Sequence, residues 1–181
     1  MTRSIALLRG INVGGRVKVP MADLRRFFAE LGHRDVTTYI QSGNVVFSAG
    51  GGETAGELEW SLERRILDEL GLTVTVMVRG GDEFAAVYGG NPFVARGVDV
   101  AALYVAFLAT EPTPEQLDRL VIPAGERVEF QHVGRELYLR YPDGYGTTKV
   151  SNNYLEKRLG VATTTRNWRT VTKLHELATM N

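Results

Sequence analysis

The apolar positions change period several times along the first eighty residues. Ile5–Val13 is an apolar run broken by Arg9 and Gly10, and it reads as a strand. Met21, Leu24, Phe27, Phe28 and Leu31 recur at helical spacing, with Gly32 placed to stop the helix. Val36–Ile40 and Asn44–Ser48 read as two short strands around the turn Gln41-Ser42-Gly43. Leu58, Leu62, Ile66, Leu67 and Leu70 mark one face of a second helix, and Thr73–Val78 is β-branched like a strand. The order is β-α-β-β-α-β.

The second half repeats it. Ala102–Ala109 reads as a strand, and Thr113-Pro114 opens a helix to about Leu120. Arg127–Val133 and Glu136–Tyr141 are strands around Gly134-Arg135, and Asn152–Leu159 is a helix stopped by Gly160. Thr163–Thr170 reads as extended or a strand, and Val171–Ala178 as a terminal helix or a continuation of the last strand. Between the halves, residues 81–100 read as a linker with a short helix that Asp82 could cap. The expected division is 1–80, 81–100 and 101–181. The halves match in pattern, with no visible identity. Each split βαββαβ unit forms a four-stranded antiparallel sheet with two helices on one face. Ile5–Leu8 and Leu103–Leu108 are apolar on both sides, as strands covered on both faces are. The expected fold is therefore α+β, two such subdomains whose open sheet faces cover each other.

Length and composition agree with this. A chain of 181 residues that is 44% hydrophobic and 23% charged can bury a core of its own. There is no cysteine, which removes disulfides, thiolate metal sites and thiol nucleophiles. The apolar run before Arg9 is too short for a signal core or a membrane span, so a cytoplasmic location away from membranes is expected.

Charge adds an asymmetry. The net charge is zero, yet residues 1–34 carry seven basic and two acidic residues, and residues 144–181 carry six and two. An acidic centre separates two basic ends, which either are solvated helix faces or form one surface for an anionic partner.

Three polar segments could carry chemistry. In the first, Arg9, Asn12 and Lys18 belong to a Gly-rich stretch that either cradles a phosphate or is a turn with Arg9 ion-paired. In the second, Gln41, Ser42 and Asn44 flank a tight turn, which explains Ser42 and Asn44 but not Gln41. In the third, Arg166, Asn167 and Trp168, with Lys149 and Asn153 upstream, combine planar donors with an aromatic surface. Trp168 also suits a core. His33, His132 and His175 lack the spacing of a zinc pair, and Ser42 lacks a nucleophile elbow, since Ile40 stands where glycine is needed. No metal and no cofactor is expected.

These segments resemble a bacterial family, domain of unknown function 1697. The resemblance rests on Ala6 through Gly15, Val19-Pro20-Met21, Thr38 through Phe47, Asn91-Pro92-Phe93, and Leu159-Gly160 with Ala162 through Trp168. It implies two ferredoxin-like subdomains and no particular activity.

Three functions remain open at this level. The first is binding of an anionic ligand: a nucleotide, a nucleic acid, or a phosphorylated or carboxylated metabolite. RNA-recognition motifs share the βαββαβ order but stack bases on central-strand aromatics, and here those strands offer only Phe47. The second is an enzyme with a small polar site between the subdomains. Gln41, Ser42 and Asn44 would orient a substrate that Arg9 and Arg166 hold. The third is a structural or interaction protein without catalysis. A monomer or weak homodimer is expected.

Overall fold

The computed structural model describes residues 3–180; the ends of the expected division, 1–2 and 181, lie outside the described residues. The described chain forms two compact units. One runs through Ala86 and includes the residues from Lys173 onward; the other spans Val87–Thr172.

The first unit holds β1 (Ser4–Leu8), α1 (Met21–Glu30), β2 (Arg34–Tyr39), β3 (Asn44–Ser48), α2 (Ala55–Leu70) and β4 (Val76–Arg79). Its antiparallel sheet has the order β2-β3-β1-β4. The segment 81–100 carries two helices, α3 (Gly81–Gly89) and α4 (Pro92–Ala95), and the start of a 3-10 turn, Val100–Ala102. Asn91 caps α4 by accepting from the Phe93 and Val94 N–H groups. The second unit continues with β5 (Leu103–Leu108), α5 (Pro114–Asp118), β6 (Glu129–Val133), β7 (Glu136–Arg140), α6 (Asn152–Leu159) and β8 (Thr163–Asn167); α7 (Trp168–Thr179) starts in it, and from Lys173 onward belongs to the first. Its sheet has the equivalent order, β6-β7-β5-β8. Both units are ferredoxin-like.

The local reasons are visible in the sequence. Thr54 and Glu57 form a capping box that starts α2 one turn before its first buried leucine, and Gly71 ends it in the left-handed conformation. Thr113 and Gln116 form the same box on α5. The first strand is shorter than its apolar run: it ends at Leu8 because Gly10 and Asn12 both take left-handed φ, 68° and 55°. Thr163–Asn167 is a strand, but α7 begins at Trp168, earlier than the apolar pattern places it.

One face of each sheet packs on its own helices. In the first unit Ala6, Leu8, Val45, Phe47, Val76 and Val78 meet Leu24, Phe27, Phe28, Leu58, Leu62 and Ile66. In the second, Ala106, Leu108, Leu137 and Leu139 meet Leu155 and Leu159. The second face of each sheet is buried too. Ile5, Leu7, Val46, Met77 and Arg79 are fully buried in one sheet, as are Val105 and Phe107 in the other.

The two units repeat in register, not only in order. Ile5 stands between Val46 and Arg79, and Val105 between Tyr138 and Arg166. Leu8 pairs with Val76, and Leu108 with Thr163. The β4 and β8 edges are capped alike where each strand begins. The outward N–H groups of Val76 and Val78 donate to the carboxylates of Glu63 and Glu59 on α2, each at 2.8 Å. In β8 the Thr163 N–H donates to Glu156 on α6 at 3.0 Å, and the Thr165 hydroxyl to Asn152 at 2.8 Å. A side chain that occupies an edge N–H also removes a docking point for a foreign strand.

Candidate functional site

The repeat supplies an internal reference for what the fold requires. The link from β5 to α5 needs only residues 109–113, and β6 turns into β7 through Gly134-Arg135. In the first unit the corresponding links are residues 9–20 and 40–43, both longer. The excess is not needed to join the elements. Long, ordered loops on such a scaffold are where binding residues collect.

Asn12 builds this site. Its Nδ2 donates to the carbonyls of Val19 (3.0 Å) and Gln41 (2.7 Å), and its Oδ1 accepts from the Val19 N–H (3.0 Å). Its own N–H donates to Val17 at 2.7 Å. The amide thus closes loop 9–20 on itself and ties it to the β2–β3 turn. Both Nδ2 hydrogens and one acceptor site of Oδ1 are used in this bracing, so Asn12 positions the loop. Ile11, fully buried, anchors the same loop from below.

The turn is held as tightly. Gly43 takes φ 80°, and a Cβ there would lie 2.8 Å from Leu8 and from Ile11, so only glycine fits. Asn44 is fully buried, and its Nδ2 donates to the Tyr39 carbonyl (3.0 Å) and the Ser42 hydroxyl (2.9 Å). Ile40 has φ 51°, a conformation that costs a β-branched residue roughly 1–3 kcal/mol. It is nonetheless half exposed, as is Val13, at 51% and 66%.

Around this frame stand the cations. Arg9 is half-buried, and its N–H donates to Thr75 at 2.9 Å. Lys18 and Arg16 are exposed and enter no ion pair among the described residues. Arg25 on α1 donates to the Thr38 hydroxyl at 2.8 Å, next to the turn. No acidic residue occurs before Asp23. Arg16 and Arg25 were not among the residues that the sequence pattern singles out; the acid-free run before Asp23 is the signal for Arg16. Gln41, the residue that turn chemistry leaves unexplained, contributes its backbone carbonyl to Asn12 and exposes its side chain.

The second-unit candidates divide by position. Asn167 accepts from the Thr170 N–H at 2.8 Å and so caps α7. Trp168 is buried and stacks on Tyr88, ring centres 5.4 Å apart. Arg166 is buried on the second sheet face, where its guanidinium donates to the Thr164 hydroxyl (2.8 Å) and the Thr165 carbonyl (3.0 Å). Desolvation pushes its pKa down to about 10, still charged at neutral pH. Asn153 lies toward the other end of β8, on a hollow it shares with Glu156 and Ala162. Lys149 is exposed, and its backbone N–H donates to Glu126. That bond and the Thr148 hydroxyl hold the Glu126 carboxyl below its usual range, the hydroxyl contributing more.

Among the described residues no cluster of His, Asp and Glu side chains could hold a metal ion, and no helix is long and apolar enough to cross a membrane. The family described as protein of unknown function (DUF1697) matches residues 1–138. Among solved structures, a conserved bacterial protein, SP0830 from Streptococcus pneumoniae, is similar over 98% of both chains, with 26% identity and a TM-score of 0.72. The search of curated proteins gives no match.

Proposed function

This chain belongs to the family of proteins of unknown function DUF1697, and we propose that it binds an anionic, phosphate-bearing ligand at the braced loops 9–20 and 40–43. One observation carries the reading: both loops exceed what the same fold uses in the second unit, and Asn12 holds the excess in one conformation. A preorganised loop avoids the ordering cost that a flexible one would incur on binding. Among the exposed side chains on it are the cations Arg16 and Lys18 and the amide of Gln41, the donor types that recognise phosphate and carboxylate oxygens. Loops 9–20 and 40–43 contain no histidine, carboxylate or tyrosine. That composition favours binding over acid–base chemistry.

The test is a titration of the whole chain with a nucleoside triphosphate and with single-stranded RNA, followed by anisotropy at two salt concentrations. Binding that weakens steeply with salt, and that the charge reversals Arg16→Glu and Lys18→Glu remove without lowering the melting temperature, supports the reading. Equal binding by these variants, or none by the unaltered chain at low salt, sinks it.

A further inference from the structure

The second helix of each unit forms a groove with the residues that lead into the fourth strand. In the first unit the hollow is about 270 Å³ and is lined by Trp60, Glu63, Arg64, Leu67 and residues 73–75. In the second it is about 510 Å³, beside Asn153, Glu156, Lys157 and Gly160. Glu63 and Glu156 make the same bond to the edge strand. Counting along each helix from that glutamate, Trp60 stands where Asn153 does, Arg64 where Lys157 does, and Leu67 where Gly160 does. The fold therefore needs the glutamate in both places and needs neither the tryptophan nor the leucine.

Trp60 is 68% exposed and Leu67 41%. They lie seven residues apart on the outer face of α2, with Glu63 and Arg64 between them, so all four share one stripe. We propose that this stripe is a two-fold surface on which α2 packs antiparallel against α2 of a second copy of the chain. A two-fold centred between Glu63 and Arg64 exchanges those two residues, which are opposite in charge. The same operation exchanges Trp60 with Leu67, so the indole covers the partner's Leu67, and it exchanges Gly56 with Gly71, which hold nothing between the helices. Such self-complementarity is the signature of an isologous contact. The charges are available for it. Glu63 uses one carboxylate oxygen on Val76, and Arg64 places only its Nε on Asp68 among the described residues. One helix pair lies near the low end of stable interfaces, on the order of 1,200 Å² in total, so the dimer is weak and depends on concentration.

The absence of cysteine makes the register directly testable. Trp60→Cys and Leu67→Cys chains are purified separately, mixed, and treated with a bis-maleimide linker of about 8 Å, close to a helix-to-helix spacing. The mixture is expected to cross-link several-fold faster than either variant alone. Like residues are displaced along the pair by seven positions, roughly 10 Å, beyond the linker's reach once the lateral spacing is added. In parallel, sedimentation of the unaltered chain is expected to show a concentration-dependent dimer that Arg64→Glu abolishes with its melting temperature unchanged. Equal cross-linking in mixture and single variants, or an unaltered chain that stays monomeric at every concentration, overturns the proposal. So does saturable binding of a lysine-rich peptide to Trp60, by fluorescence quenching, without any dimer.

Discussion

Arg79 and Arg166 occupy the same position in the two sheets: one pairs with Ile5 and the other with Val105, and both guanidiniums are buried on the face away from α1 and α2 or α5 and α6. Arg79 reaches Glu83 at 3.4 Å and donates to the Val78 carbonyl; Arg166 donates to Thr164 and Thr165. A buried cation is costly unless it is bonded, so these bonds are part of the packing. Arg166→Ala loses them and leaves a cavity, and is expected to destabilise the chain by roughly 3 kcal/mol. Arg166→Met keeps most of the volume and is expected to cost less. Urea unfolding of both variants checks the order; an unchanged midpoint for Arg166→Ala would instead place the residue in a ligand site.

Asn12→Ala removes three side-chain hydrogen bonds at a partly buried site. The expected loss of stability is about 1–2 kcal/mol, while amide exchange in residues 13–18 rises by more than in the core. Anion affinity should fall although no cation has been touched. Retained affinity with faster exchange would show that the brace does not preorganise the loop.

Gly43→Ala meets both a left-handed φ and contacts of 2.8 Å with buried side chains. It is expected to lower the melting temperature by several degrees, more than the same change at Gly14, which also has positive φ but open space around it. Thermal unfolding of the pair separates the clash from the backbone strain.

His33 is buried between Phe28 and Phe47, and its Nδ1 accepts the Gly50 N–H at 3.2 Å. That bond requires an unprotonated Nδ1, and burial lowers the pKa from 6.5, partly offset by Glu53. The unfolded chain therefore binds the proton more readily than the folded one. Stability is full above pH 6.5 and falls as the pH drops below it, until the folded-state pKa is passed. Urea midpoints measured across that range should show the slope, and His33→Phe should remove its share.

Glu63→Ala and Glu156→Ala leave equivalent edge N–H groups without their acceptor. Each is expected to cost about 1–2 kcal/mol and to raise aggregation on heating, since the freed edge can pair with another strand. Light scattering during thermal unfolding reads both effects.

Much of the fold was legible because it rests on local periodicity. The element order, both capping boxes, and the stops at Gly71 and Gly160 follow from short-range chemistry that adjacent residues dictate. The strand expected to continue to Val13 is the informative difference. Its apolar run resumes at Ile11 and Val13, but the left-handed backbone at Gly10 and Asn12 turns Ile11 into a loop anchor. Gln41 shows the same limit: its backbone carbonyl, which every residue type carries, is the atom the site uses.

The sequence by itself determined two βαββαβ units, a cysteine-free core apolar on both strand faces, and an acid-free run of loop residues before Asp23. Only the tertiary structure decided that the first and fourth strands of the two units repeat in register, because Val76-Met77-Val78-Arg79 and Thr163-Thr164-Thr165-Arg166 share a register but only one residue type. Register is set by long-range pairing, which preserves side-chain position and leaves side-chain identity free to change. The same pairing, not any motif, separates the residues that the scaffold uses twice, Glu63 and Glu156, from those that it uses once, Asn12, Gly43 and Trp60.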